Sequence, residues 1–83
     1  MSRAVLTSMQ LGRLLQSARK ALKLSQAAVG ARLGLSQKRI SALELNPGNI
    51  TVDQLLALSA VLGLELQIQQ KGGPSDAAST TEW

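Results

Sequence analysis

From about Ser8 to Leu62 leucines and small apolar residues recur three and four positions apart, the repeat of a helix with one buried face. A first helix is expected from about Ser8 to Leu22. Leu11, Leu14, Leu15, Ala18 and Leu22 form its apolar stripe, and Arg13, Gln16, Lys20 and Lys23 face away. Thr7 and Gln10 have the spacing of a capping box. A short second helix is expected from about Gln26 to Leu33, with Ser25 as N-cap and Gly34 stopping it in the left-handed conformation. Ser36 opens a third helix, about Gln37 to Leu45, which Asn46-Pro47-Gly48 ends. Thr51 and Asp53-Gln54 open a fourth, about Val52 to Leu62, which Gly63 closes. Its core stripe is expected to hold Leu55, Leu56, Ser59 and Leu62, with Val61 pointing away.

At Leu64 the repeat changes to strict alternation, with Leu64, Leu66 and Ile68 on one face of Leu64-Glu65-Leu66-Gln67-Ile68-Gln69. A lone strand leaves its backbone groups unpaired. The sequence offers no partner segment, and pairing with the same segment of a second chain about a two-fold axis satisfies these groups and makes Val61, Leu64, Leu66 and Ile68 the expected dimer contacts. The other reading is a frayed continuation of the fourth helix. Four regions result: an arm over 1–6, a helical domain over 7–63, a dimerisation strand over 64–70, and a tail over 71–83. The tail is rich in Gly, Ser, Thr and Ala, is expected to be flexible, and holds the only aromatic residue, Trp83.

Gly34-Leu35-Ser36 separates the second and third helices, and a pair joined by a three-residue turn containing glycine packs at a steep angle. Ile40 and Leu43 then share the inward face of the third helix, while Lys38, Ser41 and Ala42 face outward and Gln37 leads at its N-terminal end. A helix presented in this way fits the major groove of duplex DNA. Gln37 suits adenine and Lys38 suits guanine, and short Ser41 and Ala42 allow close approach, so these four are the candidate base contacts. Ser25, Gln26 and Ser36 at helix N-termini, with Arg39 and Asn49, are the candidate phosphate contacts. The competing reading is a helical bundle whose polar face meets only water.

Charge supports the first reading. The net charge is +4, yet no acid occurs up to Ser41, where Arg3, Arg13, Arg19, Lys20, Lys23, Arg32, Lys38 and Arg39 lie; the acids Glu44, Asp53, Glu65, Asp76 and Glu82 all follow. A basic half of this kind suits a polyanion. Arg19 and Glu44 stand either as a charge-assisted pair joining the first and third helices or as two solvated groups. There is no cysteine and no histidine, which removes disulfides, thiolate metal sites and the commonest general base. No nucleophile–base pair or phosphate-binding glycine loop is evident, so neither an enzyme nor a cofactor is expected. No apolar run is long enough for a membrane span or a signal peptide, which makes the cytoplasm the expected location.

From Leu11 to Leu62 the chain resembles the Cro/C1-type (Xre) repressors. Leu24-Ser25-Gln26, Ala28, Leu33-Gly34-Leu35-Ser36-Gln37, Ile40-Ser41 and Leu43-Glu44 carry the resemblance. It implies an all-α, lambda-repressor-like bundle of four to five helices, with Gln26 on phosphate and Gln37, Lys38 and Ser41 toward bases. It also implies a buried Arg19–Glu44 pair. Two positions depart from the pattern. Gly30 stands where alanine is usual, both being small enough for close packing to survive, and Leu45 stands where a polar residue is usual. Glu44 through Val52, the segment Leu64 to Gln69 and the ending Glu82-Trp83 resemble the HipB antitoxin group. That resemblance implies a homodimer joined by a two-stranded sheet, an inverted-repeat DNA operator, and a HipA-like serine/threonine kinase toxin as partner. It implies autoregulation of the operon and neutralisation of the toxin, with Trp83 as a toxin contact. The alternative is a free-standing repressor of the same family with no toxin.

Overall fold

A computed structural model describes Val5 and residues 7–70. Four α-helices follow in order, α1 (Ser8–Ala21), α2 (Gln26–Leu33), α3 (Gln37–Leu45) and α4 (Val52–Val61), with a 3-10 turn at Pro47–Asn49 between the last two. Each start has a local cause. The Thr7 hydroxyl accepts from Gln10 N–H while the Gln10 side chain accepts from Thr7 N–H, both at 3.1 Å, and Thr51 and Gln54 repeat this reciprocal cap on α4. Ser25 and Ser36 cap α2 and α3 by accepting from Ala28 N–H and Arg39 N–H at 3.0 Å.

Three helices end with a residue in the left-handed region, which turns the chain back over its own last turn. Gly34 (φ 73°) and Gly63 (φ 73°) do this without steric cost, whereas after α1 the position falls to Lys23 (φ 59°). In each case the next residue donates to a carbonyl five positions back: Leu24 to Arg19 at 3.2 Å, Leu35 to Gly30 at 2.9 Å and Leu64 to Ser59 at 2.8 Å. The same three leucines fold onto the core. The hydrogen bond and the apolar contact are thus two results of one backbone turn.

Leu15, Val29, Ile40, Leu58 and Leu62 form the buried centre, one or more from each helix. α3 packs on α2 and α1, α4 packs on α2, and the 3-10 turn rests against α1 and α3. Three expectations are corrected here. Leu22 is half exposed, because α1 stops at Ala21 and Leu24, after the turn, takes the inward position. On α4 the buried stripe is Leu55, Leu58, Ser59 and Leu62, and Leu56 faces out. Val61 does not point away from the core but packs partly against it. After Gly63 the chain leaves the helix, so α4 does not continue, and residues 64–70 form no strand within the single chain. Among the described residues no helix is long and apolar enough to cross a membrane.

Two glycines permit close approach of backbones. A Cβ on Gly12 would collide with the main-chain carbonyl of Glu44 and press on Pro47, so α1 lies directly on the end of α3. A Cβ on Gly30 would collide with the carbonyl of Leu35, so the contact beneath the turn is closer than a reading of glycine and alanine as equivalent allows. At its other end the α1–α3 contact is ionic. Arg19 Nε donates to Glu44 Oε2 at 2.6 Å and Nη2 to Oε1 at 3.1 Å, and both residues are buried. The third nitrogen, Nη1, donates to Leu24 O at 2.9 Å. The pair is formed and is internal, which settles the question left open by the residues alone.

Two stability outcomes are expected. Gly12→Ala adds helix propensity of about 1 kcal/mol, yet the forced separation of α1 and α3 outweighs it, giving a net loss of about 1–3 kcal/mol in chemical denaturation. Glu44→Ala strands a buried guanidinium and lowers stability by about 3–5 kcal/mol, while the double change Arg19→Met with Glu44→Leu recovers most of that loss. A double variant as unstable as the single one would contradict this account.

Candidate nucleic-acid interface

Everything on the outer face of α3 follows from how its inner face is anchored. Ile40 and Leu43 are almost fully buried, 1% and 2% exposed, and a helix that buries these two must turn the positions between them outward. Gln37, Lys38 and Ala42 are accordingly exposed, and Ser41 and Arg39 lie half-buried at the edges of that face. The four base-contact candidates therefore share one outward surface, led by Gln37 at the N-terminus of α3. Leu45, at the far end, is 77% exposed, and nothing in the structure explains an apolar residue there.

The phosphate-contact candidates are placed by the turns around α3. Ser25 and Ser36 each use the hydroxyl oxygen to cap a helix, which leaves the hydroxyl hydrogen free to donate to an anion. They stand at the first turns of α2 and α3, where unpaired backbone N–H groups and the helix dipole favour negative charge. Asn49 is exposed on the 3-10 turn just after α3, a turn held by the Asn46 side chain accepting from Gly48 N–H at 3.2 Å.

Gln26 is not the independent group its sequence position suggests. Its Nε2 donates to Glu44 Oε1 at 3.0 Å, and its Oε1 accepts from Gln37 Nε2 at 2.6 Å. A continuous path thus runs from buried Arg19 through Glu44 and Gln26 to the exposed tip of α3. Sequence reasoning missed this connection, since four residues from three helices meet only once the turn angle is known. It also missed Gly12, whose signal was available: an isolated glycine within an otherwise regular helical pattern marks a close approach.

The candidate dimer residues divide. Val61 and Leu64 pack against their own core, while Leu66 and Ile68 are 45% and 92% exposed and open to another surface. Trp83 lies outside the described residues. Among the described residues no three His, Cys, Asp or Glu side chains gather as a metal site would require.

Comparison with known proteins agrees with this geometry. The HTH_3 helix-turn-helix family matches residues 15–69. No curated protein matches the chain in sequence. Among solved structures, the HipB chain of a HipB-O4 20mer complex is similar with a TM-score of 0.76 and 21% identity, over 84% of this chain and 99% of that one. The match in a HipA-HipB-O2-O3 complex has a TM-score of 0.77 and 21% identity over the same shares. At these identities the likeness is one of fold. Fe(II) HppE in complex with substrate is 30% identical with a TM-score of 0.66, over 70% of this chain but 33% of that protein, so its iron and substrate are not carried over. With its turn, caps and outward α3 surface in the expected arrangement, this chain belongs to the HTH_3 helix-turn-helix family, a DNA-binding regulatory family.

Proposed function

We propose that the chain is a sequence-specific repressor that binds an inverted-repeat DNA operator as a homodimer and serves as the antitoxin of a HipA-type kinase. The observation that carries the DNA reading is the outer face of α3, where Gln37, Lys38, Ser41 and Ala42 are accessible because Ile40 and Leu43 are locked beneath them. In this reading α3 enters the major groove, Lys38 reaches guanine acceptors, and the N-termini of α2 and α3 seat on phosphates. Two copies joined through Leu66 and Ile68 set their α3 helices about 34–36 Å apart, one turn of duplex.

The antitoxin reading is supported by fold similarity to HipB chains, one of them in a complex with HipA and O2-O3. The stretch Glu44 to Val52 and the ending Glu82-Trp83 add to it. In this reading Trp83 is the toxin contact, since an indole brings a large apolar surface to a partner's pocket.

Binding to duplex should fall steeply with salt as counterions are released. Lys38→Ala should change the base preference recovered from a random duplex pool, whereas Arg39→Ala should weaken all sequences alike and reduce the salt slope by about 1. Equal losses of Lys38→Ala on preferred and random duplexes would refute its assigned role. Used as bait in its own cell, the full chain should retain a serine/threonine kinase, and removal of Trp83 should reduce that capture while sparing duplex binding. Retention of duplex with no kinase would favour a free-standing repressor.

A further inference from the structure

The outer face of α3 changes character along its length. Lys38, Ala42 and Leu45 stand four and then three positions apart, so they follow one another down a single stripe, and all three are exposed. Leu45 lies within about 20° of Lys38 round the helix and about 140° from the buried Ile40. The stripe therefore starts on an ammonium group and ends in an apolar half made of Ala42 and Leu45. At 77% exposure Leu45 is the most exposed leucine among the described residues, and the buried side of its helix belongs to Ile40, Leu43 and Glu44. It contributes nothing to the core.

A long side chain on a helix leans toward the helix N-terminus, which carries the isobutyl group of Leu45 over the turn that holds Ser41 and Ala42. Both of those residues are short, so neither overshadows it. The apolar cover thus extends from the end of α3 toward the middle of its outer face. A leucine has no donor for a phosphate oxygen and no acceptor for a base amino group. Against the charged wall of the groove it gains nothing. The base edges of the major groove offer one apolar group, the methyl at C5 of thymine. Covering a methyl with apolar surface is worth about fourfold in affinity. Cytosine lacks that methyl and presents its N4 amino group instead, which a leucine cannot satisfy.

We propose that Leu45, with Ala42 beside it, reads the 5-methyl group of a thymine, so that the C-terminal half of α3 selects thymine over cytosine at one position of each half-site. This rests on the reading of α3 as the base-contacting helix. The helix rises about 10 Å from Lys38 to Leu45, which sets the thymine about three base pairs from the pair that Lys38 contacts. The two halves of the face then divide the work, polar edges falling to Gln37 and Lys38 and the methyl to Leu45.

The test uses the full chain and a duplex that it selects from a random pool. Each thymine of that duplex is replaced in turn by deoxyuridine, which removes the methyl and keeps the base pairing. One replacement, about three base pairs from the position that Lys38→Ala relaxes, should weaken the parent about fourfold. The same replacement should leave the affinity of Leu45→Ala and of Leu45→Asn unchanged. Position 45 is exposed, so both variants should unfold at the temperature of the parent. If no methyl matters more to the parent than to Leu45→Ala, or if Leu45→Ala weakens preferred and random duplexes equally, Leu45 rests on sugar and phosphate. The inference is then overturned, while α3 remains the reading helix. A shift of Leu45→Ala toward monomer with its methyl dependence intact would place Leu45 against a second copy and overturn it too. If Lys38→Ala alters no base preference, the reading of α3 fails, and the methyl assignment falls with it.

Discussion

A guanidinium and a carboxylate taken out of water lose several kcal/mol of hydration each, and only close, well-directed bonds restore it. Arg19 and Glu44 meet that condition. The planar fork of Arg19 faces both carboxylate oxygens, and its remaining nitrogen reaches the carbonyl of Leu24, where the chain turns from α1 into α2. Glu44 fills its outstanding capacity with the amide of Gln26. Three helices and one connection therefore converge on a single pair of charges. Apolar packing of Leu15, Val29 and Ile40 supplies the bulk of the driving force, but it is non-directional. The ion pair adds a directional tie to α1, on the helix whose outward side the burial of Ile40 and Leu43 sets.

The same residue is gripped a second time through its backbone. Gly12, having no side chain, lets α1 lie against the Glu44 carbonyl, and Pro47 closes the site from the far side. α3 is thus held at its C-terminal half by side-chain and main-chain contacts together. Its N-terminal turn is held by the buried Ile40, by the Ser36 cap and by the link from Gln37 to Gln26. The division suits a helix that must be rigidly aimed yet leave its leading residues free for a partner.

What could be read from the sequence was what depends on neighbours a few positions apart. The starts at Thr7, Ser25, Ser36 and Thr51 and the stops at Gly34 and Gly63 follow from local hydrogen-bonding and backbone rules, and all were legible. The outward placement of Gln37 and Lys38 followed from the burial of Ile40 and Leu43 and was legible too. The buried face of α4 was legible only in part, with Leu55, Ser59 and Leu62 placed and Leu58 missed for Leu56, because Val52, Leu55, Leu56, Ala57, Leu58, Ala60, Val61 and Leu62 are apolar nearly all round the helix and its period selects no unique face. Leu22 was misplaced because α1 ends on a lysine in the left-handed conformation, where no glycine announces the stop. The path from Glu44 to Gln37 depends on the crossing of α2 and α3, a tertiary quantity that no spacing along the chain encodes. The alternation at Leu64, Leu66 and Ile68 meets no strand partner among the described residues.

The sign of the surface depends on the buried pair as well. Glu44 is the only acid between the N-terminus and Asp53, and it lies on the helix proposed to meet a polyanion. Placed on the outer face of α3, it would oppose Lys38 and Arg39 and repel phosphate. Turned inward at 8% exposure and bonded to Arg19, its charge is cancelled within a few ångströms and contributes little field outside. The positive charge of Lys38 and Arg39 then stands uncontested in the first turn of α3. The interaction that ties α3 to α1 therefore also neutralises the one acid that α3 carries.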